Sequence, residues 1–218
     1  VLMAIGMPVG VALGLTGLSF MFIFTDVPLE SVALKLFTGI EKFEIMAIPF
    51  FILAGNFLTH GGVARRMINF AASMVGHWYG GLGLGGVLAC ALFAAVSGSS
   101  PATVVAIGSI LLPAMAKAGF PKRFGAGVIA TSGALGILIP PSIVMVMYSV
   151  ATNTSVGALF MAGVVPGLML ATMLGGVTWY RARKYNYPRQ PKASLATRLR
   201  TFRESFWGLF LIVVVMGG

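Results

Sequence analysis

Charge is what this sequence has least of. Only 9% of its 218 residues are Asp, Glu, Lys or Arg, against roughly 25% in soluble domains. Five are acidic, and no charged residue occurs within 1–25, 67–116 or 124–180. Each of these stretches reaches the roughly 20 apolar residues that a membrane helix needs, so an ordinary soluble fold is excluded. Histidine and cysteine are nearly missing too. Cys90 is the one cysteine; it can form no internal disulfide or metal cluster and reads as a small buried hydrophobe. His60 and His77 flank loops without metal-ligand spacing and read as interfacial residues. No apolar run contains an acid, so no proton relay is expected inside the membrane. Residues 1–24 are too long for a signal-peptide core and have no small-residue cleavage site, so they read as a mature span. Val1 is not an initiator Met, and the last apolar run, 206–218, is too short to cross a bilayer alone. A longer protein is therefore expected.

What the sequence does have is apolar length and a one-sided set of cations. It is 58% hydrophobic, with a mean hydropathy of +0.96. The net charge of +10 comes mostly from Arg65/Arg66, Lys117/Lys122/Arg123 and a tail from Arg181 to Arg203. Membrane proteins gather Lys and Arg in cytoplasmic loops, which explains these clusters without a nucleic-acid partner. With all three placed in the cytoplasm, residues 1–24 cross outward and 26–30 lie outside. A short amphipathic segment, 28–40, follows along the outer surface. Residues 45–59 cross inward, 63–75 lie at the inner face, and 80–116 enter and return. Residues 124–153 cross outward and 155–180 come back. Lys35 and Lys42 are then the two basic residues outside, beside Asp26, Glu30, Glu41 and Glu44. Trp78, Trp179 and Trp207 fall near the inner boundary, as interfacial anchors do.

Two places interrupt the apolar runs. The tip of 80–116 reads Ser97-Gly-Ser-Ser-Pro-Ala-Thr103. Irregular backbone at membrane depth survives where protein or a water-filled cavity satisfies it, so a re-entrant helical hairpin is expected. The second break lies in Ser132-Gly-Ala-Leu-Gly-Ile-Leu-Ile-Pro-Pro-Ser142. Pro140 and Pro141 remove two backbone donors, and Gly133 and Gly136 loosen the preceding turn. A broken transmembrane helix with free carbonyls follows. The fold class is thus an all-α membrane protein, a polytopic helical bundle with a re-entrant hairpin and a broken helix.

Uncharged, hydroxyl-rich breaks suit a cation and an anion together. Carbonyls and hydroxyls coordinate Na⁺, and half-helix N-termini attract a carboxylate. The alternative is that small residues here merely permit kinks and close helix packing. Other motifs carry less. Gly81-Leu-Gly-Leu-Gly-Gly86 matches a dinucleotide fingerprint as a string but has no preceding strand and no acid at the required distance. Asn56 suits an interhelical hydrogen bond, and Asn153-Thr-Ser155 an external turn. The tail could bind anionic lipid, though orientation alone explains it. An intramembrane serine hydrolase using Ser99 or Ser100 lacks a histidine placed as base. A purely structural membrane subunit would not need two broken polar elements.

Ser97-Gly-Ser-Ser-Pro-Ala-Thr-Val-Val-Ala-Ile-Gly108, Leu138-Ile-Pro-Pro-Ser142 and Ala162-Gly-Val-Val-Pro-Gly167 resemble the large membrane subunit of tripartite ATP-independent periplasmic (TRAP) transporters. So do Ile48-Pro-Phe-Phe-Ile-Leu-Ala-Gly55 and Gly61-Gly-Val-Ala-Arg-Arg66. The resemblance covers essentially the whole chain, and residues 143–155 look most like the C4-dicarboxylate branch. It implies the N-terminal half of an inverted repeat in an elevator-type, Na⁺-coupled carboxylate importer of the bacterial inner membrane, with its N-terminus cytoplasmic. Sialic acid or another organic acid is the alternative cargo. Implied partners are a small four-helix membrane subunit, a periplasmic substrate-binding protein and membrane lipids; no cofactor is implied beyond the coupling ion, and no catalytic residue. By resemblance, Ser97 with carbonyls of Gly136, Ile139 and Pro141 forms a Na⁺ site. Ser99, Ser100, Thr103 and Ser142 line the substrate path. Residues 1–79 then supply scaffold helices and a connecting arm, and 80–153 the moving part, as hairpin 80–116 and broken helix 124–153. Residues 154–180 form a transmembrane helix, 181–205 a basic cytoplasmic amphipathic segment, and 206–218 the start of another transmembrane helix.

Overall fold

The computed structural model describes residues 2–25 and 28–217. The expected external turn at Asp26 and Val27 lies outside the described residues. Every regular element among the described residues is helical, as the runs of apolar residues require. The chain forms two compact units, Val1–Phe43 and Glu44–Gly218.

In the first unit a 3-10 turn, Leu2–Ile5, precedes helix α1, Val9–Phe24, and helix α2, Leu29–Ile40. The expected span of 1–24 is therefore shorter as a helix. Pro8 stands at the N-cap of α1, where it restricts Met7 to extended backbone and keeps the 3-10 turn from joining the helix. At 16 residues, α1 is about 24 Å long. It is apolar all round and buries only Ala12 among its own residues, the character of a helix meant for lipid or another protein.

The second unit takes in α3 (Phe43–His60) from Glu44 onward, and this helix bends by 67° into α4, Val63–Val75. Gly62 makes the corner at φ +76°, a left-handed conformation natural to glycine. Helix α4 puts Ala64, Met67, Ile68 and Ala71 inside and leaves Arg65 and Arg66 outside. Next come the two arms of the hairpin, α5 (Gly81–Ser97) and α6 (Ser100–Lys117). The broken helix is α7 (Lys122–Gly133), α8 (Leu135–Leu138) and α9 (Ile143–Thr152). A long helix, α10 (Val156–Lys184), and α11 (Leu195–Gly217) complete the unit.

Helix α5 is the hub. Its glycines and alanines let α4, α6, α7 and α10 approach closely. Phe93 and Cys90 are fully buried there with Met67 of α4, Ile107 and Leu111 of α6, and Ile129 of α7. Lipid tails are as apolar as this core, so shape complementarity rather than water exclusion holds it. Phe93→Ala would leave a cavity at its centre. It is expected to cost about 3 kcal/mol, read as a lower unfolding temperature of the purified protein.

The basic end is tied together by residues 185–194. Tyr187 packs 5.5 Å from Phe120 and 4.7 Å from Phe124, ring centre to ring centre. The Gln190 N–H donates to the Gly76 carbonyl at 3.0 Å. These contacts bring the α4–α5 turn, the α6–α7 turn and the end of α10 to one place. Two of the basic stretches, Lys117–Arg123 and the segment from Arg181 to Arg189, thereby lie close together. Helix α11 lies on α4, where the Ser205 hydroxyl donates to the Arg66 carbonyl at 2.9 Å and the Ser73 and Thr201 hydroxyls meet at 3.0 Å. The expected boundary between an amphipathic segment, 181–205, and a new helix at 206 is not present. Residues 181–184 finish α10, and α11 runs through 205 without interruption. No proline falls in residues 195–217, and one interior glycine, Gly208, weakens but does not stop a helix.

Ser100–Lys117 and Val156–Lys184 are each long and apolar enough to cross a membrane. The bent pairs α3–α4 and α7/α8–α9 reach that length when each is taken together, for up to four spans among the described residues.

Candidate functional site

The two interruptions meet. The irregular part of the hairpin tip is smaller than the 97–103 expected, because Ser100–Thr103 already form the first turn of α6. Ser99 caps that helix, its hydroxyl accepting the Ala102 N–H at 3.5 Å, and Pro101 sits in the first turn, where its missing N–H costs nothing. Only Gly98 and Ser99 lie between the arms. The second break is also displaced from the expected centre. Gly136 stays helical in α8, and the non-helical segment is Ile139–Pro140–Pro141–Ser142, with a cis peptide between the prolines. Proline cannot donate, so the Gly136 and Ile137 carbonyls lose the N–H that would lie four residues on.

The Ile143 N–H donates to the Gly98 carbonyl at 3.0 Å, joining the break to the tip. Gly98 has φ +61°, and a side chain there would begin 2.8 Å from the Pro141 oxygen. A Cβ on Gly136 would lie 2.8 Å from the Ser100 nitrogen and 2.9 Å from the Ser100 Cα. Main chain thus runs against main chain on both sides of the junction.

Inside the tip a short hydroxyl network holds the turn. The Ser99 N–H donates to the Ser97 hydroxyl at 3.4 Å, and the Ser97 and Thr103 hydroxyls lie 3.1 Å apart. Thr103 in turn donates to the Ser99 carbonyl at 2.8 Å. Ser97 and Thr103 are fully buried, so the structure groups Thr103 with Ser97 in one network, where the sequence reading had separated them. Ser97 accepts one N–H and keeps a second lone pair. Ser99 and Ser100 are half-buried at the tip. Ser142 is fully buried, and its hydroxyl has no hydrogen-bond partner among the described residues. Ile139 turns its side chain toward α10, where a Cβ on Gly167 would come within 3.0 Å of it.

The electrostatics follow from the helix ends. The C-terminal ends of α5 and α8 and the N-terminal ends of α6 and α9 all reach this junction. C-termini carry partial negative charge and free carbonyls; N-termini carry partial positive charge and free N–H groups. One small volume therefore offers oxygen ligands to a cation and N–H groups to an anion, with no ionised side chain between residues 67 and 116 or 124 and 180.

The family model of the tripartite ATP-independent periplasmic transporter, DctM component, matches residues 1–218. The chain belongs to this family. A C4-dicarboxylate TRAP transporter large permease protein of Rhodobacter capsulatus is 72% identical over the whole chain, which covers 52% of that relative. Its namesake in Vibrio cholerae is 51% identical, with all of the chain and 48% of the relative covered. The sialic acid TRAP transporter large permease protein of Vibrio cholerae is 36% identical over 98% of the chain and 50% of the relative. The chain thus spans about half the length of the curated relatives it matches. TRAP permeases are multi-pass membrane transport subunits rather than enzymes, which answers the hydrolase alternative.

Two contacts of the junction in this TRAP permease escaped the sequence reading. Gly98 supplies the carbonyl that joins the breaks, and its flanking serines were the signal for it. Gly55 of α3 lies against Ser97, 3.6 Å from its Cβ if a Cβ were added. No local pattern marks that contact.

Proposed function

We propose that this chain forms the N-terminal half of a permease that imports a C4-dicarboxylate across the bacterial inner membrane, coupled to Na⁺. The observation that carries the reading is the Ile143–Gly98 hydrogen bond of 3.0 Å, which joins two uncharged helix breaks into one junction. Na⁺ takes oxygen ligands from the Ser97 hydroxyl and the Gly136, Ile139 and Pro141 carbonyls. The dicarboxylate passes Ser99, Ser100, Thr103 and Ser142, where the N-termini of α6 and α9 offer N–H groups to a carboxylate. The cation and anion help each other because each neutralises the other in a site without charged side chains.

The 72% identical relative named for C4-dicarboxylate supports this cargo over the sialic acid of the 36% identical one. A junction built from two elements keeps its ion only if both travel together, so residues 80–153 move as one body against scaffold helices in 1–79, an elevator. A small four-helix membrane subunit braces the scaffold, and a periplasmic binding protein delivers the solute. The basic clusters and the N-terminus face the cytoplasm.

Ser97→Ala tests the ion site. Removing one ligand oxygen is expected to raise the Na⁺ concentration for half-maximal uptake about tenfold, with dicarboxylate uptake measured in vesicles containing the complete transporter. An unchanged Na⁺ dependence removes Ser97 from the site.

A further inference from the structure

A groove runs between α5 and α10 and reaches the junction at one residue, Ile139. Val87, Ala91 and Ala95 form one wall, and Leu168, Ala171 and Gly175 the other. Its volume is about 430 Å³, its deep end is Ile139, and Trp78 closes the opposite end. Trp78 also lines a second cavity of about 280 Å³, with His77, Tyr79, Trp179 and Arg189. The two cavities share Trp78; the first is lined by apolar side chains and the second by aromatic and basic ones.

The polar end is built for an anion. The Arg189 guanidinium lies over Tyr79, its Cζ 3.2 Å from the ring centre, and the Arg183 Cζ lies 5.4 Å from the Trp179 ring centre. Stacking orients a guanidinium and leaves its N–H edge free for a phosphate. No acid occurs in the sequence between Glu44 and Glu204, and Glu204 pairs with Arg200 at 2.9 Å. His77 Nδ1 is buried beside this cavity without a hydrogen-bond partner among the described residues.

The length decides the occupant. Leu168 to Trp179 is about 16 Å along α10, close to half of the ~30 Å hydrocarbon core. A groove one leaflet long, ending in Trp, Tyr and Arg, matches a phospholipid with its chain inside and its phosphate at the interface.

We propose that the α5–α10 groove of this chain holds an anionic phospholipid of the cytoplasmic leaflet, with one acyl chain reaching toward Ile139 and the phosphate on Arg189. The complete transporter is placed in nanodiscs of equal phosphatidylglycerol and phosphatidylethanolamine, and retained lipid is counted by native mass spectrometry. Arg189→Gln is expected to lower phosphatidylglycerol retention about fivefold. Gly175→Leu fills the groove and is expected to lower it as much. A Cβ at Gly175 meets open space and Arg189 is exposed, so neither change removes a core contact. Excess inorganic phosphate should leave wild-type retention unchanged. Retention unaffected by both substitutions overturns the proposal and indicates protein over the groove. Loss with Arg189→Gln alone, together with displacement by inorganic phosphate, overturns it in favour of a free-anion site.

Discussion

Gly136→Ala is expected to cut the initial rate of dicarboxylate uptake by at least about tenfold, while Gly127→Ala leaves it unchanged. The added methyl group would sit 2.8 Å from the Ser100 nitrogen and 2.9 Å from the Ser100 Cα and the Ser99 carbonyl carbon. All three are main-chain atoms, so no rotamer change relieves the overlap. Overpacking of this kind costs about 1–3 kcal/mol. The cheapest relief is to push the hairpin tip off the break, which stretches the Ile143–Gly98 hydrogen bond and separates the proposed ion ligands. Gly127 lies in the same broken helix, and a Cβ there meets nothing within 4 Å. Equal uptake by the two variants would show that close contact of tip and break is unnecessary for transport.

A Gly55→Cys, Ser97→Cys pair is expected to stop transport when oxidised. The Cβ separation of 3.6 Å falls within the range a disulfide accepts. Gly55 belongs to α3, in the proposed scaffold, and Ser97 to the proposed moving body, so the bond would fasten one to the other. Uptake should fall to background on oxidation and recover on reduction to the level of the unoxidised pair, in a background carrying Cys90→Ala. A second measurement, the rate of cross-linking, needs no transport: Na⁺ with dicarboxylate should slow it by drawing molecules into states where the residues are apart. Unimpaired uptake by fully cross-linked protein would sink the moving-body model.

Much of the helix pattern could be read from residue order. The α4 bounds, 63–75, and the hairpin arms follow the expected limits closely, because glycine pairs and a Ser-Gly-Ser-Ser tip punctuate long apolar runs. The two breaks were visible but misplaced by a few residues. Ser99 and Pro101 start α6 earlier than composition suggests, since capping satisfies polar groups that otherwise read as loop. Gly136 looked like part of the interruption, yet a glycine surrounded by Leu and Ile stays helical when tertiary packing holds it. The continuous α11 was missed because its charge pattern changes at 205 while its backbone pattern does not.

The order of residues by itself determined that this is a helical membrane protein, roughly where its helices break, and which family it resembles. Those are properties of length, proline and charge, each readable within a few residues of where it acts. The tertiary structure alone decided that the breaks touch, that Gly98 and Gly136 are the contact points, and that Gly55 lies against Ser97. It also decided that residues 185–194 strap the basic end and that α5 and α10 enclose a groove. A helix that is apolar all round carries no sign of which face meets which neighbour, so in a bilayer only the fit of one backbone against another makes that choice.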